Sequence, residues 1–331
     1  MSTWTSAHWA SEEFRAELRD FVECALGEPT ELEPVSARPW STVWRCRSAS
    51  GVTGFVKQNC PGQAHEARLV STLAELAPSY VVPVLGADIG RDLLLTADAG
   101  PTLRSAGAAG DVATWCRIVA AGAQLQRVTA GAAPRLGLTV LAPADATMYV
   151  ADAVGRLGAL PEGDPRRMEA ATARALEQLL PAVGDWSDEV EDLGLPLALV
   201  HNDLHDDNVV AGARGLRFFD FGDAVLADPL ANLLIPLRVV AEQLGAGPGD
   251  ERLWRVADAA LEVWSDLAPM DDLRRTLPAA LQLGRLARAE SWRRCVAGMT
   301  AEERSTYGAY PAAWLGTLAE EEPPVRTPVP H

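Results

Sequence analysis

Two acidic segments of the chain combine carboxylate and amide side chains in a way that suits phosphate chemistry. The first, HNDLHDDN, covers residues 201 to 208 and places Asp203 ahead of Asn208, and the second, FDFGD, covers 219 to 223 and contains Asp220. Such oxygen donors suit Mg²⁺, which takes one or two protein carboxylates and completes its shell with phosphate and water. We therefore predict Asn208 and Asp220 as metal ligands, and Asp203 as the base or orienting acceptor for an attacking hydroxyl.

The stretch between the two segments is expected to bring them together. NVVA and LRFF read as short strands joined by the turn AGARG. Because a hairpin returns the chain to its start, Asn208 before the first strand and Asp220 after the second should converge on one site. His201 and His205 have the spacing of a zinc pair on a helix, but the preceding LPLALV is strand-like and no third ligand has a suitable spacing. We therefore favour magnesium over zinc.

One basic side chain differs from all the others. Of the 29 lysines and arginines, only Lys57 is a lysine. Its ammonium is a compact point charge, which suits a phosphate group or a single carboxylate. Glu66 follows at the start of a predicted helix, so the two residues form either a functional pair or an ordinary surface ion pair. Their position upstream of the acidic segments favours the functional pair.

The elements that must position these residues change in character along the chain. The N-terminal part alternates helix and strand, with a β-hairpin made by STVWRCR and VTGFVKQ that ends near Lys57. From about residue 100 the pattern is helical, apart from short strands within 195 to 226. We predict an α+β fold. The individual predictions are helices at 11 to 26, from Glu66 onward, at 111 to 130, 166 to 182, 251 to 267 and 272 to 297, and strands at 81 to 85 and 92 to 96.

Composition argues against several classes of function. A formal net charge of −16 repels nucleic acid and anionic membranes, and it mildly favours a cationic partner or a metal nucleotide. No apolar run approaches the length of a membrane span, the N-terminus lacks a signal-peptide pattern, and the five cysteines form no CxxC pair. We expect a cytoplasmic protein with reduced thiols and without a nucleic-acid or membrane partner. No feature of the sequence indicates its oligomeric state.

HNDLHDDN followed by FFDFGDA resembles the paired active-site motifs of the aminoglycoside phosphotransferase family, which is related to the protein kinases. Upstream, Lys57 in GFVKQ is similar to the strand lysine of that fold, Glu66 to its helix partner, and 93 to 103, with Asp98, to the nucleotide-binding hinge. The resemblance implies a bilobal protein-kinase-like fold, with an antiparallel sheet plus helices in a small N-terminal lobe and a larger, mainly helical C-terminal lobe. The predicted parts are a nucleotide-binding lobe at 1 to 98, a catalytic and substrate-binding lobe at 99 to 320 and, from its proline and charge content, a flexible tail at 321 to 331.

The resemblance also implies a reaction and a role for each residue. The reaction is transfer of the γ-phosphate of ATP or GTP to a hydroxyl of a small molecule, such as an aminoglycoside or another antibiotic. A kinase of an amino sugar or a choline-like metabolite is the alternative, and a non-catalytic nucleotide-binding protein is a less favoured third. The implied roles are catalysis for Asp203, Mg²⁺ binding for Asn208 and Asp220, phosphate binding for Lys57, orientation of that lysine for Glu66, bracing of the loop for His201, and substrate binding for Asp223 and Asp228.

Three features depart from the family pattern. Asn202 stands where the family usually has glycine, and Asn232 stands where an aspartate is common. No glycine-rich loop precedes the first predicted hairpin, so 36 to 43 must cover the phosphates, with the Ser41 and Thr42 hydroxyls as candidate donors. A protein kinase and a Walker-type NTPase fit less well, because no APE-like anchor follows the FDFGD segment and the only lysine lies outside a GK[ST] sequence.

Overall fold

The computed structural model describes residues 4–212 and 215–326, which form a small and a large lobe. The strands are β1 (Thr30–Arg38), β2 (Ser41–Ser48), β3 (Thr53–Asn59), β4 (Val84–Asp88), β5 (Leu93–Ala97), β6 (Ala198–Val200), β7 (Val209–Gly212), β8 (Gly215–Phe218) and β9 (Val225–Ala227). The α-helices are α1 (Glu12–Leu26), α2 (Glu66–Leu76), α3 (Val112–Thr129), α4 (Ala146–Gly158), α5 (Ala170–Asp192), α6 (Leu234–Leu244), α7 (Glu251–Leu261), α8 (Met270–Ala297), α9 (Ala301–Tyr307) and α10 (Tyr310–Glu320). Within these described ranges, none of the helices is both long enough and apolar enough to cross a membrane.

The small lobe is a five-stranded antiparallel sheet in the order β1-β2-β3-β5-β4, with α1 and α2 packed against it. The predicted helix at 11 to 26 is confirmed as α1. It begins after Ser11, whose side chain accepts a hydrogen bond from the Phe14 amide, and it ends at Gly27, whose φ of 73° suits a residue without a Cβ. The apolar face of α1 joins one cluster with the sheet, which contains Phe14, Leu18, Phe21, Val22, Cys46, Val56, Leu93 and Leu95.

The first strand of the sheet was not predicted. β1 pairs with β2 along its whole length, so the chain expected to form a loop over the phosphates is largely strand, and the turn itself is only Pro39 and Trp40. Pro34 masks the strand in the sequence because proline cannot donate to a β ladder. The structure accommodates this proline in an edge strand, with a register shift between Pro34 and Ser36.

The large lobe is mainly helical and carries two short antiparallel pairs, β6 with β9 and β7 with β8. The predicted helices at 111 to 130 and 272 to 297 are confirmed as α3 and α8. The helix predicted at 166 to 182 is instead Ala170–Asp192, because residues 161 to 169 form turns in which Asp164 holds the guanidinium of Arg166. The predicted helix at 251 to 267 ends at Leu261 and continues as a 3-10 turn. The elements α4, α6, α9, α10 and β9 were not predicted.

The C-terminal segment is packed as far as residue 326, whereas the sequence predicts a loose tail from 321. The buried guanidinium of Arg285 on α8 donates to the carbonyl of Thr317 at 2.7 Å and to that of Glu322 at 2.9 Å. Val325 is fully buried, and the Arg326 amide donates to the Pro248 carbonyl at 3.0 Å. Apolar burial and the arginine therefore overcome the effect of the prolines. The tail prediction for 327 to 331 lies outside the described residues.

The two lobes touch through the segment that leads into α2. The 3-10 turn Pro61–Gln63 of the small lobe lies so close to α8 that a Cβ added at Gly62 would overlap the backbone carbonyl of Arg294. Beside this contact, Trp40 packs edge-on against Trp292, with ring centroids 5.3 Å apart. The turn between β1 and β2 is thus anchored to the large lobe by aromatic packing.

We predict that Gly62→Ala destabilises the protein by about 1 to 3 kcal/mol, because the added methyl group must push the turn away from α8. Gly131→Ala is the matched control, since a Cβ at Gly131 would meet no atom of the described residues within 4 Å. Thermal or denaturant unfolding of both variants measures the difference. Equal stability of the two variants would contradict the close contact between the lobes.

Candidate active site

The site is centred on Lys57, on the strand β3 in the middle of the small-lobe sheet. Its ammonium lies 2.6 Å from Oε2 of Glu66 on α2 and 2.5 Å from Oδ1 of Asp220 in the large lobe. Burial by itself lowers the pKa of Lys57, but the two carboxylates more than offset that effect, so the net pKa lies above its usual value and the amine is charged. The predicted pairing of Lys57 with Glu66 is therefore present, and it includes Asp220.

Glu66 is held on every side, which fixes the lysine in turn. Its side chain is buried, with Oε2 accepting from Asn59 Nδ2 at 2.7 Å and Oε1 accepting from the Phe221 amide at 2.7 Å. Asn59 Nδ2 also donates to Asp92 at 3.1 Å, and Asp92 accepts from the Ala67 amide in the first turn of α2 at 2.9 Å. Burial raises the pKa of Asp92 to about 6. Asn59 and Asp92 were not predicted, since neither belongs to a recognisable motif.

The segment 201 to 208 is tied to the segment 219 to 223 through His201. The His201 ring nitrogen Nε2 lies 3.0 Å from the Phe219 carbonyl, and the ring packs against Phe221 with centroids 4.6 Å apart. The His201 amide donates to Oδ1 of Asn232 at 2.9 Å. Burial lowers the pKa of His201, so its imidazole is neutral at neutral pH. An aspartate at 232 would accept the same hydrogen bond, and the departure from the family pattern therefore preserves the contact.

Asn202 adopts a backbone conformation that explains why the family usually has glycine at this position. Its φ of 66° lies in the left-handed region, which glycine enters freely and asparagine tolerates better than most residues. The Asn202 side chain adds two hydrogen bonds that glycine cannot make, from Nδ2 to the carbonyls of Asp223 at 3.1 Å and Ala287 at 2.9 Å. The turn before Asp203 is therefore fixed to both neighbouring segments.

Asp203 faces a buried arginine that was not predicted. One carboxylate oxygen, Oδ1, lies 3.1 Å from Nη1 of Arg288 on α8, and the other, Oδ2, lies 3.4 Å from Nε2 of His205. Burial alone raises the pKa of Asp203, but the nearby Arg288 charge and the His205 contact more than offset this, so the pKa lies well below its usual range. Asp203 is therefore a carboxylate at neutral pH.

The predicted convergence of Asn208 and Asp220 rests on a hairpin that the structure confirms. β7 pairs with β8 so that Val209 opposes Phe218, and the Phe219 amide donates to the Asn208 carbonyl at 3.2 Å. The side-chain nitrogen Nδ2 of Asn208 donates to the Asp203 carbonyl at 2.9 Å. Among the hydrogen bonds of the described residues, Asn208 Oδ1 and Asp220 Oδ2 have no partner, so two hard oxygen donors fit Mg²⁺.

These donors are too few for an all-protein metal cage. Within 4–212 and 215–326, no group of three or more His, Cys, Asp or Glu side chains is placed to hold a metal ion. A Mg²⁺ ion normally completes its coordination with water and substrate phosphates, which matches a site that has only one carboxylate and one amide. The same result argues against zinc at His201 and His205, since zinc normally takes at least three protein ligands.

A cavity of about 280 Å³ opens between the lobes beside this cluster. Lys57, Glu66 and Asp220 form its polar end. The rest is mainly apolar and is lined by residues of both lobes, among them Val43, Phe55, Val70, Val82, Leu94 and Val210. The cavity therefore offers an apolar wall for a flat base and a charged end for phosphate groups.

Of the two hydroxyls predicted to cover the phosphates, Thr42 lies on the wrong face of the sheet. Val43 and Ser41 oppose Lys57 and Asn59 in the register of β2 with β3, and alternate residues of a strand point to opposite faces. Thr42 therefore points away from Lys57, and its Oγ1 accepts from Trp44 Nε1 at 3.1 Å. The prediction for Thr42 is wrong. Ser41 is on the correct face but is buried and does not line the cavity.

Three predicted aspartates have other surroundings than expected. Asp98 does not line the cavity, although its neighbours Ala97 and Ala99 do, and its side chain accepts from the Gly100 amide at 3.0 Å. Asp223 is paired within the protein, with Nη1 of Arg288 3.1 Å from its Oδ2. Asp228 is buried and caps the 3-10 turn Pro229–Leu233, with Oδ1 accepting from the Leu230 amide at 2.9 Å.

A lysine and glutamate pair in a small β lobe, an aspartate from an FDFG segment and an Asp-Asn segment in a helical lobe define a protein-kinase-like phosphotransferase. The chain belongs to the phosphotransferase enzyme family (APH), whose model matches residues 55–272. No curated protein matches the chain in sequence.

Solved structures with the same fold have low sequence identity to the chain. A macrolide 2′-phosphotransferase from Brachybacterium faecium is 18% identical, with a TM-score of 0.57, and the match covers 90% of this chain and 97% of that one. The GDP and kanamycin complex of the phosphotransferase APH(2″)-IIia is 13% identical, with a TM-score of 0.53 and coverage of 87% and 94%. An ethanolamine kinase of Plasmodium vivax is 12% identical, with a TM-score of 0.55 and coverage of 86% and 81%.

The burial of the Asp228 carboxyl group predicts that the stability of the protein depends on pH. Burial raises its pKa from 3.8 to about 7, so the folded chain binds this proton more tightly than the unfolded chain does. Its contribution to stability is therefore present at low pH and is lost as pH rises from about 4 to about 7. Asp228→Asn keeps the cap and removes the titration, and we expect it to stabilise the protein at pH 8 by at most about 4 kcal/mol.

Denaturant unfolding of wild type and Asp228→Asn between pH 4 and 8 measures this effect. Asp188→Asn, at an exposed position of α5, controls for the loss of one formal charge. Stability curves of wild type and Asp228→Asn that run parallel over this pH range would contradict the burial of an ionisable carboxyl at this position.

Proposed function

We propose that the chain transfers the γ-phosphate of ATP or GTP to a hydroxyl of a small molecule, such as an aminoglycoside or another antibiotic. The observation that carries this proposal is the continuous set of contacts around one cleft. Lys57 joins Glu66 to Asp220, and the β7–β8 hairpin brings Asp220 to Asn208 and so to Asp203. Phosphoryl transfer needs charge neutralisation and alignment more than covalent catalysis, and these residues supply both.

The nucleotide would bind in the cavity between the lobes. In this proposal residues 1 to 98 form the nucleotide-binding lobe, with the base against the apolar wall and the phosphates at Lys57. Glu66 holds the lysine and does not itself contact phosphate, because its two oxygens are occupied within the protein. Asp98 would contribute to nucleotide binding through the backbone of its neighbours Ala97 and Ala99, which line the cavity. Ser41 would contribute from the same face of the sheet as Lys57.

Asn208 and Asp220 are the residues that would hold Mg²⁺. Asp220 suits this role because its side chain is 49% exposed, while its pairing with Lys57 occupies only one oxygen. A bound Mg²⁺ ion would supply charge neutralisation to the phosphate oxygens. The left-handed φ of 63° at Asp220 is unfavourable for a residue other than glycine, which is the kind of backbone strain that concentrates at functional sites.

Asp203 is proposed as the group that orients the acceptor hydroxyl and accepts its proton. It is kept ionised beside Arg288 and remains partly exposed, with 28% of its side chain accessible. Residues 99 to 320 would form the lobe that binds the acceptor. Asp223 is paired with Arg288 inside the protein, so we propose that other residues of this lobe make the direct contacts with the acceptor.

The acceptor is proposed to carry amino groups as well as hydroxyls. The net charge of −16 attracts cations. Kanamycin and ethanolamine, named with two of the similar structures, are amines with hydroxyl groups. An amino sugar or a choline-like alcohol is the alternative acceptor, supported by the similarity to the ethanolamine kinase. We place the enzyme in the cytoplasm, where nucleoside triphosphates are available.

Asp203→Asn tests the proposal. We expect phosphate transfer to fall by about 10² to 10⁴, because the amide cannot accept the proton of the acceptor hydroxyl. Nucleotide affinity should persist, since Asp203 does not line the nucleotide cavity. The measurements are turnover with MgATP and a Kd for the nucleotide, with Asp188→Asn as the charge control. Turnover near that of wild type would show that Asp203 is not the catalytic group.

A further inference from the structure

One guanidinium nitrogen of Arg288 contacts three partners, two in the segment 201 to 208, which we call the catalytic segment, and one in the segment 219 to 223. Its Nη1 lies 2.7 Å from the Asn202 carbonyl, 3.1 Å from Asp203 Oδ1 and 3.1 Å from Asp223 Oδ2. The residue is buried, and its guanidinium lies over the Trp314 ring at 5.3 Å. A cation so placed fixes the catalytic segment both by its backbone and by its carboxylate.

The contact distinguishes the two oxygens of Asp203. Arg288 holds Oδ1, whereas the protein contact of Oδ2 is the longer one with His205 at 3.4 Å. A carboxylate held by one oxygen has a defined plane, so its second oxygen presents a fixed direction to a substrate. A buried ion pair with a purely structural role would stabilise the fold without orienting the second oxygen of Asp203. A structural role and a positioning role of Arg288 therefore predict different effects of its substitution on turnover.

Asp223 extends the arrangement into the small lobe. Its Oδ1 accepts from Nε2 of Gln63 at 2.7 Å and from the Ser291 hydroxyl. Gln63 is buried in the 3-10 turn that leads into α2, so it lies close in sequence to Glu66. The contacts therefore run in series from Gln63 to Asp223, then to Arg288, and finally to Asp203. They connect the contact between the two lobes with the carboxylate of Asp203.

We propose that Arg288 is a positioning residue of this active site, and that Gln63 and Asp223 make its orientation of Asp203 depend on the contact between the lobes. The inference rests on the proposed function, in which Asp203 acts on the acceptor hydroxyl. Arg288 does not line the nucleotide cavity, and among the described residues it contacts neither proposed metal ligand, so it acts through its contacts with Asn202, Asp203 and Asp223.

Arg288→Met and Arg288→Lys form the first test. We expect the methionine variant to lose about 100-fold in kcat, because the carboxylate loses its fixed direction, with little change in nucleotide Kd or in the KM of the acceptor. The lysine variant should retain more activity, since it keeps the charge and a donor near the same three oxygens. A folded methionine variant with kcat near that of wild type would overturn the proposal.

Gln63→Leu provides a test that leaves every charge in place, in case the methionine variant does not fold. We expect roughly a tenfold loss of kcat, the size expected for one hydrogen bond to a charged group, although Gln63 does not line the nucleotide cavity. Ser6→Ala is the matched control. The Ser6 hydroxyl donates to Glu303 of α9, so this substitution removes a different hydrogen bond between the lobes. Equal activity of Gln63→Leu and Ser6→Ala would contradict the series.

The double variant Gln63→Leu/Arg288→Lys tests whether the two residues act on one target. If both act through Asp203, the combined loss of kcat should be smaller than the product of the single losses. If the combined loss of kcat equals the product of the single losses, the two residues act independently, which would overturn the proposed connection from Gln63 through Asp223 and Arg288 to Asp203. Asp203→Asn separates this inference from the proposed function. Transfer by Asp203→Asn at the wild-type rate would refute the catalytic role proposed for Asp203, whereas the expected loss in Asp203→Asn combined with normal Arg288→Met activity would refute only the role of Arg288.

Hydrogen exchange supplies a readout that needs no acceptor. The amides of Asp207 and Asn208 are bonded to His205, in the turn that follows Asp203. We expect faster exchange in the peptide covering 201 to 208 for Gln63→Leu than for wild type or Ser6→Ala. Exchange that is the same in all three proteins would contradict the proposed dependence on the small lobe.

Discussion

The ion cluster of Lys57 with Glu66 and Asp220 is the interaction on which the rest of the site depends. It joins a strand and a helix of the small lobe to a loop of the large lobe. Burying charges is costly unless the partners are also hydrogen-bonded. Glu66 meets this condition through Asn59 and the Phe221 amide, and Asp92 supports Asn59 in turn. The cluster therefore fixes α2, the sheet and the FDFG segment relative to one another.

The two carboxylates that contact Lys57, those of Glu66 and Asp220, differ in exposure and therefore suit different roles. Glu66 is 2% exposed and both its oxygens are engaged, whereas Asp220 is 49% exposed and has one oxygen without a partner among the hydrogen bonds of the described residues. The buried partner holds the lysine, and the exposed partner remains available to an ion and to phosphate. The second acidic centre, at Asp203, shows the same division, because Arg288 engages one oxygen more closely than His205 engages the other.

Much of this site could be predicted from local sequence, and the failures have physical causes. The hairpin between Asn208 and Asp220 is a local pattern, and the single lysine is distinctive by composition. β1 was missed because Pro34 interrupts a strand that its edge position can tolerate. The prediction for Thr42 failed because it ignored the alternation of a strand, which the sequence itself contains. Arg288 and Gln63 were missed because their partners lie far away in the chain and neither residue belongs to a local motif.

The central claim is that this cleft moves phosphate to a small hydroxylated molecule. The most direct measurement is mass spectrometry of amino-sugar, antibiotic and amino-alcohol acceptors after incubation with the protein, Mg²⁺ and either ATP or GTP. The account predicts a singly phosphorylated product from at least one acceptor class. Binding of the magnesium nucleotide, shown by a rise in Tm, without product from any of the three classes would contradict it and would indicate a nucleotide-binding protein without turnover.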